Sequence, residues 1–240
     1  MQTRIIFGVA LSALLVATSA QAEPSPQPSK DSGATQVDWR NTAPARALEL
    51  SWASGYSQAF GNFSKDGRSL DDVAGPGTSL TLGVGYRMTP NLMIGGYGEG
   101  GLYRPDEGSL GDRRMWSAAV GVQANWHFMP FSRWDPWVGL GTGWRGYWID
   151  EDEAGDSSLQ GVDVARIQVG AAYRVSQHLT LSPTIGVSIT EFVAERSQGE
   201  SSFHDIADPR PTTFLLVGTT GRFDIGGQSV TRERTAVASR

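Results

Sequence analysis

The sequence contains no cysteine, which excludes disulfide-bonded scaffolds and metal sites built from thiolates. Charged residues make up only 19% of the chain, and the formal net charge of −5 argues against a general nucleic-acid-binding surface. The 30 glycines exclude a long coiled coil. Beyond the N-terminus, no apolar run reaches the length of about 20 residues that a membrane-spanning helix needs. A membrane-spanning β-barrel is not excluded, because its strands are apolar only at every second residue.

The N-terminus has the three parts of an export signal. Arg4 gives a positive start, Ile5–Thr18 is an apolar run, and Ala20-Gln21-Ala22 fits the small-x-small cleavage rule. This pattern predicts a cleaved signal peptide over residues 1–22, because an uncleaved anchor would need a longer apolar run. Residues 23–46 are rich in proline and serine, and we expect them to form a flexible linker.

Apolar and polar side chains alternate through residues 47–225. In Ser79–Arg87, for example, Leu80, Leu82 and Val84 share one face and small or polar residues occupy the other. This period of two predicts β-strands, and a tilted strand of around ten residues crosses a bilayer. The pattern recurs in eight segments: Leu48–Tyr56, Ser79–Arg87, Leu92–Tyr103, Met115–Phe128, Trp137–Trp148, Arg166–Arg174, Leu179–Ile189 and Thr213–Phe223.

The links between these segments alternate in length. The short links are 88–91, 129–136 and 175–178, and the long, polar links are 61–77, 104–112, 149–158 and 193–211. Short turns at one end and long loops at the other are typical of outer-membrane barrels. We therefore predict an all-β fold, an eight-stranded antiparallel up-and-down transmembrane β-barrel with short periplasmic turns and long extracellular loops. The linker and a polar C-terminal tail over residues 226–240 are then periplasmic.

The polar face of the strands predicts the content of the barrel. It combines very small residues with sparse charged ones: Glu49, Arg87, Glu99, Arg145, Arg166, Arg174 and Arg222. A water-soluble barrel such as a lipocalin would instead show many lysines and glutamates on its polar face and few glycines. Arginine suits crowded, partly desolvated networks, and an eight-stranded barrel has room inside only for side chains.

We predict that these charged residues form a lumen charge network in two clusters. One joins Glu49 to Arg222 or Arg87, and the other joins Glu99 to Arg145 and Arg166. Because the cations outnumber the acids in this set, the remaining arginines are expected to bind water, backbone carbonyls, or Tyr97 and Tyr147. His127 is expected to point inward near the periplasmic rim.

Aromatic residues on the apolar face cluster near the strand ends. Such clusters indicate the girdles that anchor barrels at both membrane interfaces, although an aromatic core of a soluble sandwich is the alternative. The predicted periplasmic girdle is Tyr86, Trp126, Phe128, Tyr173 and Phe223, and the predicted outer girdle is Tyr56, Trp116, Trp144 and Trp148.

With these residues assembled, the chain resembles the small eight-stranded outer-membrane β-barrels, the group that includes the transmembrane domain of OmpA, OmpX and OmpW. The resemblance rests on the alternating pattern, on two Gly-x-x-Tyr-Arg hairpins at Gly83–Arg87 and Gly170–Arg174, and on the aromatic final strand. It implies recognition by the barrel-assembly machinery, with Phe223 at the matching aromatic position. The polar tail after Phe223 departs from that pattern. We expect outer-membrane lipid and lipopolysaccharide as partners, and a monomer.

We expect neither an enzyme nor a cofactor. Ser201, Ser202, His204 and Asp205 have the residue types of nucleophilic catalysis, but they are adjacent in a loop rather than positioned by a rigid scaffold. The acidic run Asp150–Asp156 lacks the spacing of an EF-hand and indicates a solvated loop tip rather than a metal site, with loose divalent bridging to lipopolysaccharide as a further hypothesis.

The leading functional hypothesis is a structural or surface-interaction protein of the outer membrane, with a lumen largely plugged by polar side chains. The alternative is a narrow OmpW-like channel for small apolar molecules. It stays open because inward glycines such as Gly83, Gly85 and Gly139 could leave a void.

Overall fold

The computed structural model describes residues 42–63, 69–70, 74–105, 113–151, 156–176, 178–197 and 202–228. The strands are β1 (Ala47–Phe60), β2 (Ala74–Arg87), β3 (Leu92–Pro105), β4 (Arg113–His127), β5 (Trp134–Glu151), β6 (Ser157–Arg174), β7 (Leu179–Arg196), β8 (His204–Asp205) and β9 (Pro211–Ile225). Across those residues, no helix is long and apolar enough to cross a membrane.

Strands β1 to β7 and β9 form one closed antiparallel barrel. Each strand pairs with the next along the chain, and β9 closes the ring between β7 and β1. The register at the closure is continuous, since Leu50 pairs with Val84 of β2 on one side and with Phe223 of β9 on the other. Closure satisfies the backbone hydrogen bonds that an open sheet edge would leave unpaired. The eight-stranded up-and-down topology predicted from the sequence is therefore confirmed.

Residues 1–41 and 229–240 lie outside the described residues. The signal peptide, most of the linker and the greater part of the tail therefore remain predictions. The linker's last five residues are described and hold an ordered position at the barrel, as set out below.

The strands are longer than the sequence pattern indicates. Strands β5, β6 and β7 have 18 residues each, whereas an apolar band of a membrane barrel needs about 9–11. Most of the extra residues lie at the end of the barrel that carries the long loops, called the loop end below, and β5 and β9 also extend by two or three residues at the other end. The opposite end, with the short connections, is called the turn end. At the loop end the outward side chains become polar above the apolar belt. The alternation of apolar residues therefore stops before the strands do, and the sequence pattern underestimates their length.

An irregularity in β6 changes which residues point inward. The register with β5 shifts between the Gly143–Asp163 and Gly141–Arg166 pairs, and the register with β7 shifts between Asp163 and Ala165. Such a bulge inserts an extra residue and reverses the side-chain alternation beyond it. As a result Asp163 and Arg166 are both buried inside the barrel, with 0% and 3% exposure.

The two faces of the barrel wall differ sharply in polarity. The outward side chains are large, apolar and exposed, with Leu82 at 57%, Val120 at 63% and Leu140 at 59%. The inward side chains are mostly polar or small and are buried. This is the reverse of a water-soluble barrel, in which the apolar face forms the core.

The linker's last residues, 42–46, cross the turn end of the barrel as a strap. A positive φ of 55° at Arg46 turns the chain away from β1. Ala45 exchanges backbone hydrogen bonds with Gln228, and the Ala43 N–H donates to the Pro130 carbonyl at 2.8 Å. Pro130 lies in the β4–β5 connection, and β5 stands opposite β1 in the ring of eight. The strap thus joins opposite walls of the barrel at this end.

Candidate functional site: the barrel lumen

The lumen nearer the loop end contains a compact network centred on Arg145. The Arg145 guanidinium donates from Nε to Asp163 Oδ1 at 2.8 Å, from Nη2 to Asp163 Oδ2 at 3.0 Å, and from Nη1 to Glu99 Oε1 at 3.1 Å. Arg166 Nη1 lies 2.6 Å from Glu99 Oε2. Two cations and two carboxylates therefore neutralise each other across strands β3, β5 and β6.

Neutral side chains complete this outer charge network. The Thr190 hydroxyl donates to Asp163 Oδ1 at 2.5 Å, and the Thr81 hydroxyl donates to Glu99 Oε2 at 3.0 Å. The Arg166 guanidinium lies 4.5 Å from the centre of the Tyr97 ring, a cation–π contact. Each carboxylate is thus bound by both a cation and a hydroxyl, which desolvated carboxylates need.

A second network lies nearer the turn end and is centred on Arg87. It donates to Glu49, and its Nε donates to Asp224 Oδ1 at 3.2 Å. Arg222 Nε lies 3.5 Å from Glu49 Oε1, and Arg174 Nη1 lies 3.6 Å from Asp224 Oδ2. The structure therefore brings Glu49 together with both of its candidate partners and adds an acid that the sequence analysis did not select.

Beside this inner charge network, His127 and Asp135 form a buried pair. Their Nδ1 and Oδ2 atoms are 2.7 Å apart, and Asp135 Oδ1 also accepts from the Met129 backbone N–H at 2.9 Å. Trp137 pairs in register with His127, and the Arg222 guanidinium is 3.8 Å from the centre of its indole ring. His127 is inward and 2% exposed.

The acids that the sequence analysis missed change the charge balance. The sequence pattern predicts more arginines than acids in the lumen, whereas the described lumen holds five arginines and five carboxylates. These are Arg87, Arg145, Arg166, Arg174 and Arg222, and Glu49, Glu99, Asp135, Asp163 and Asp224. Asp163 was missed because of the bulge, and Asp135 and Asp224 lie just beyond the predicted ends of their strands. Allowing each strand two more residues of strict alternation would have found the last two.

An aromatic cap fills the loop end of the lumen. Its barrel members are Tyr103, Met115, Tyr147, Phe192 and Phe214, and Phe63, Leu70 and Ile206 enter from the connections. The Arg210 N–H donates to the Phe63 carbonyl at 3.2 Å, so the β1–β2 and β8–β9 connections meet above the barrel. Arg145 stacks on Phe214, which joins the cap to the outer charge network.

The predicted girdle residues all lie on the outward face. Most are exposed, whereas Trp148 and Tyr173 are half-buried by neighbouring rings. Trp116 and Trp148 stack with their ring centres 4.0 Å apart, and Trp134 packs 4.9 Å from Tyr173. Trp134 is outward and exposed, and the sequence analysis missed it because it lies before the predicted start of its strand.

Those residues considered for catalysis and for metal binding whose side chains the structure describes lie outside the lumen. Ser202, His204 and Asp205 are exposed, and Ser201 lies outside the described residues. Of the acidic run, Asp150 and Asp156 are exposed, and residues 152–155 are not among those described. Within the described part of the chain, no group of three or more His, Asp or Glu could hold a metal ion.

These features define a class: a closed eight-stranded barrel with an apolar outside and a charge-paired interior. Solved structures of similar fold include three small outer-membrane proteins. Neisserial surface protein A is 14% identical, with 73% of this chain and 96% of that chain covered and a TM-score of 0.46. OprG from Pseudomonas aeruginosa is 11% identical, with 77% and 99% covered and a TM-score of 0.49. Ail of Yersinia pestis is 10% identical, with 75% and 99% covered and a TM-score of 0.44.

No protein-family model and no curated protein sequence matches the chain.

Proposed function

We propose that the protein is an integral outer-membrane β-barrel with a structural or surface-interaction role. The observation that carries this proposal is the sidedness of the wall. Exposed apolar side chains such as Leu82, Val120 and Leu140 occur on every strand of the ring, whereas soluble monomers rarely expose contiguous apolar patches larger than a few hundred Å². Hydrocarbon is the solvent that suits such a belt, and a closed barrel leaves no backbone group unpaired in it.

The predicted signal peptide supports export, and the loop lengths support an orientation. The connections at the turn end have four to six residues, which suits the periplasm. Three of the four connections at the loop end have seven to fourteen residues, which suits the cell exterior, although the connection from β5 to β6 has only five. In this orientation Phe223 is an outward aromatic near the periplasmic end of the last strand, where the barrel-assembly machinery would read it. Outer-membrane lipid and lipopolysaccharide would surround a monomeric barrel.

The plugged lumen is the second part of the proposal. Arg145 and Tyr147 are 0% exposed and His127 is 2% exposed, whereas the lining of a water-filled channel would be accessible. Charge pairing across several strands fixes their register and closes the interior. The alternative of a narrow channel for apolar molecules has less support, because the aromatic cap and the strap occupy the two ends.

Heat-modifiable electrophoresis of protein extracted from outer-membrane fractions tests the first part of the proposal. A folded membrane barrel should require detergent for extraction and should migrate differently before and after boiling. A mature chain that stays in aqueous buffer without detergent would contradict the proposal. Liposome swelling with the purified protein tests the plug separately, and rapid solute entry would favour the channel.

A further inference from the structure

A groove opens on the outward face of β1, β2 and β3 near the loop end. Its volume is about 420 Å³, and its outward lining residues are Tyr56, Pro76, Thr78, Leu102 and Arg104. Tyr56 pairs with Thr78, and Thr78 pairs with Leu102, so one row across three strands forms its floor. Leu102 is 68% exposed, the highest value among the large apolar side chains that the structure describes. This part of the wall therefore presents accessible apolar surface inside a concavity.

Next to the groove, toward the middle of the apolar belt, the outward positions of β3 are the glycines Gly98 and Gly100. Large outward side chains flank these glycines on both neighbouring strands. On β2, Leu80 pairs with Gly100 and Leu82 pairs with Gly98, and on β4, Val120 pairs with Gly98. A Cβ atom at Gly100 would meet no atom within 4 Å, and one at Gly98 would meet only the Ala119 carbonyl oxygen at 4.0 Å. Packing within the protein therefore does not explain the missing side chains.

The end of the groove nearest the loop end of the barrel is lined by a positively charged side chain, Arg104. Arg104 on β3 and Arg114 on β4 lie one position beyond the Tyr103–Met115 pair, toward the loop end, and both are exposed. Like charges on neighbouring strands are unfavourable unless an anion lies between them. Arg114 also pairs in register with Asp150 of β5, so Arg104 is the less compensated of the two.

We propose that this groove binds one phosphorylated glycolipid of the outer leaflet, of the lipid A class. An acyl chain would lie over Gly98 and Gly100 between the ridges of β2 and β4, and a phosphate would contact Arg104 and Arg114. This inference rests on the proposed function, because it needs the loop end to face the outer leaflet. A second copy of the chain fits less well, since a symmetric contact would place the same arginines against each other.

The test uses the full-length mature protein in phosphatidylcholine nanodiscs that contain lipid A, with bound lipid counted by native mass spectrometry. We expect retention of lipid A over phosphatidylcholine. Arg104→Ala and Arg114→Ala should each weaken the retention of phosphorylated lipid A about five-fold and leave dephosphorylated lipid A unaffected. Gly98→Leu with Gly100→Leu should weaken the retention of both lipids, because leucine fills the groove.

Matched controls separate the groove from general effects. Arg210→Ala removes an exposed cation elsewhere at the loop end, and Thr219→Leu adds an outward leucine on β9; neither should change retention. Equal retention by all variants would overturn the inference, as would a crosslink between two copies through Gly100→Cys. If the wild-type protein fails to enter nanodiscs at all, the proposed function itself fails.

Discussion

The carboxylate of Asp163 is the most informative side chain to remove. It is 0% exposed and accepts two hydrogen bonds from Arg145, at 2.8 and 3.0 Å, and one from Thr190 at 2.5 Å. In Asp163→Ala, the only carboxylate that Arg145 still contacts is Glu99 at 3.1 Å, and Glu99 is already shared with Arg166. A buried guanidinium then carries charge that nothing nearby fully compensates.

The expected loss in the free energy of unfolding is about 3–5 kcal/mol, the cost of removing one partner of a buried ion pair. The double variant Arg145→Met with Asp163→Leu should recover most of that loss, because it replaces the pair with apolar side chains instead of leaving a lone charge. As a control, Asp156→Ala removes an exposed carboxylate of the same barrel and should change the free energy by less than about 0.5 kcal/mol.

Urea unfolding of each variant in lipid vesicles, followed by tryptophan fluorescence, gives these free energies. Gel migration before and after boiling shows whether each variant folds at all. If Asp163→Ala lies within about 1 kcal/mol of wild type, the lumen is hydrated enough to screen Arg145 and the reasoning is wrong. A double variant less stable than Asp163→Ala would also contradict it.

Three further predictions concern the two ends of the barrel and its outer surface. Gly227→Ala should lower stability by about 1–2 kcal/mol in thermal unfolding, because φ is 93° at this position and a Cβ atom would lie 2.8 Å from the Ala45 carbonyl oxygen. Gly226→Ala should cost less, because a Cβ atom at that position would meet no atom within 4 Å. Phe192→Ala should lower the free energy of unfolding by about 3–5 kcal/mol, because it opens a cavity in the aromatic cap. If the cap seals the lumen, planar-bilayer recordings of this variant should also show current. Trp148→Leu should cost about 0.5–1.5 kcal/mol by removing the stack with Trp116, measured against Trp126→Leu, which lacks a stacked partner in register.

The barrel could be predicted from the sequence because one physical signal repeats in every strand. Outward residues must be apolar and inward residues small or polar, so the side chains of segments such as Ser79–Arg87 alternate without interruption. Each strand then adds independent support for the same topology. The inward positions of Glu49, Arg87 and Arg145 follow from the same counting, since no other face of the strand is available to a charge.

The missing part of the lumen has a different physical origin. Strict alternation from Arg166 places Asp163 outward, and only the bulge, which leaves no mark in residue type, brings it inside. The aromatic cap joins Phe63 and Leu70 to Phe214, residues far apart in the chain whose contact depends on how the connections fold. The strap could not be predicted from the sequence either, since the Ala43 side chain has no chemistry that indicates its position at the turn end of the barrel.

The sidedness of the wall can be measured directly because the chain has no native cysteine. Single cysteines at Leu82, Val120, Leu140 and Ile185, all outward and on four different strands, can each carry a small fluorophore in the reconstituted protein. We predict that nitroxide-labelled lipid quenches the fluorophore at all four positions and that aqueous iodide quenches it at none. Quenching by iodide with no effect of the labelled lipid would show that this face meets water, and the membrane assignment would fall.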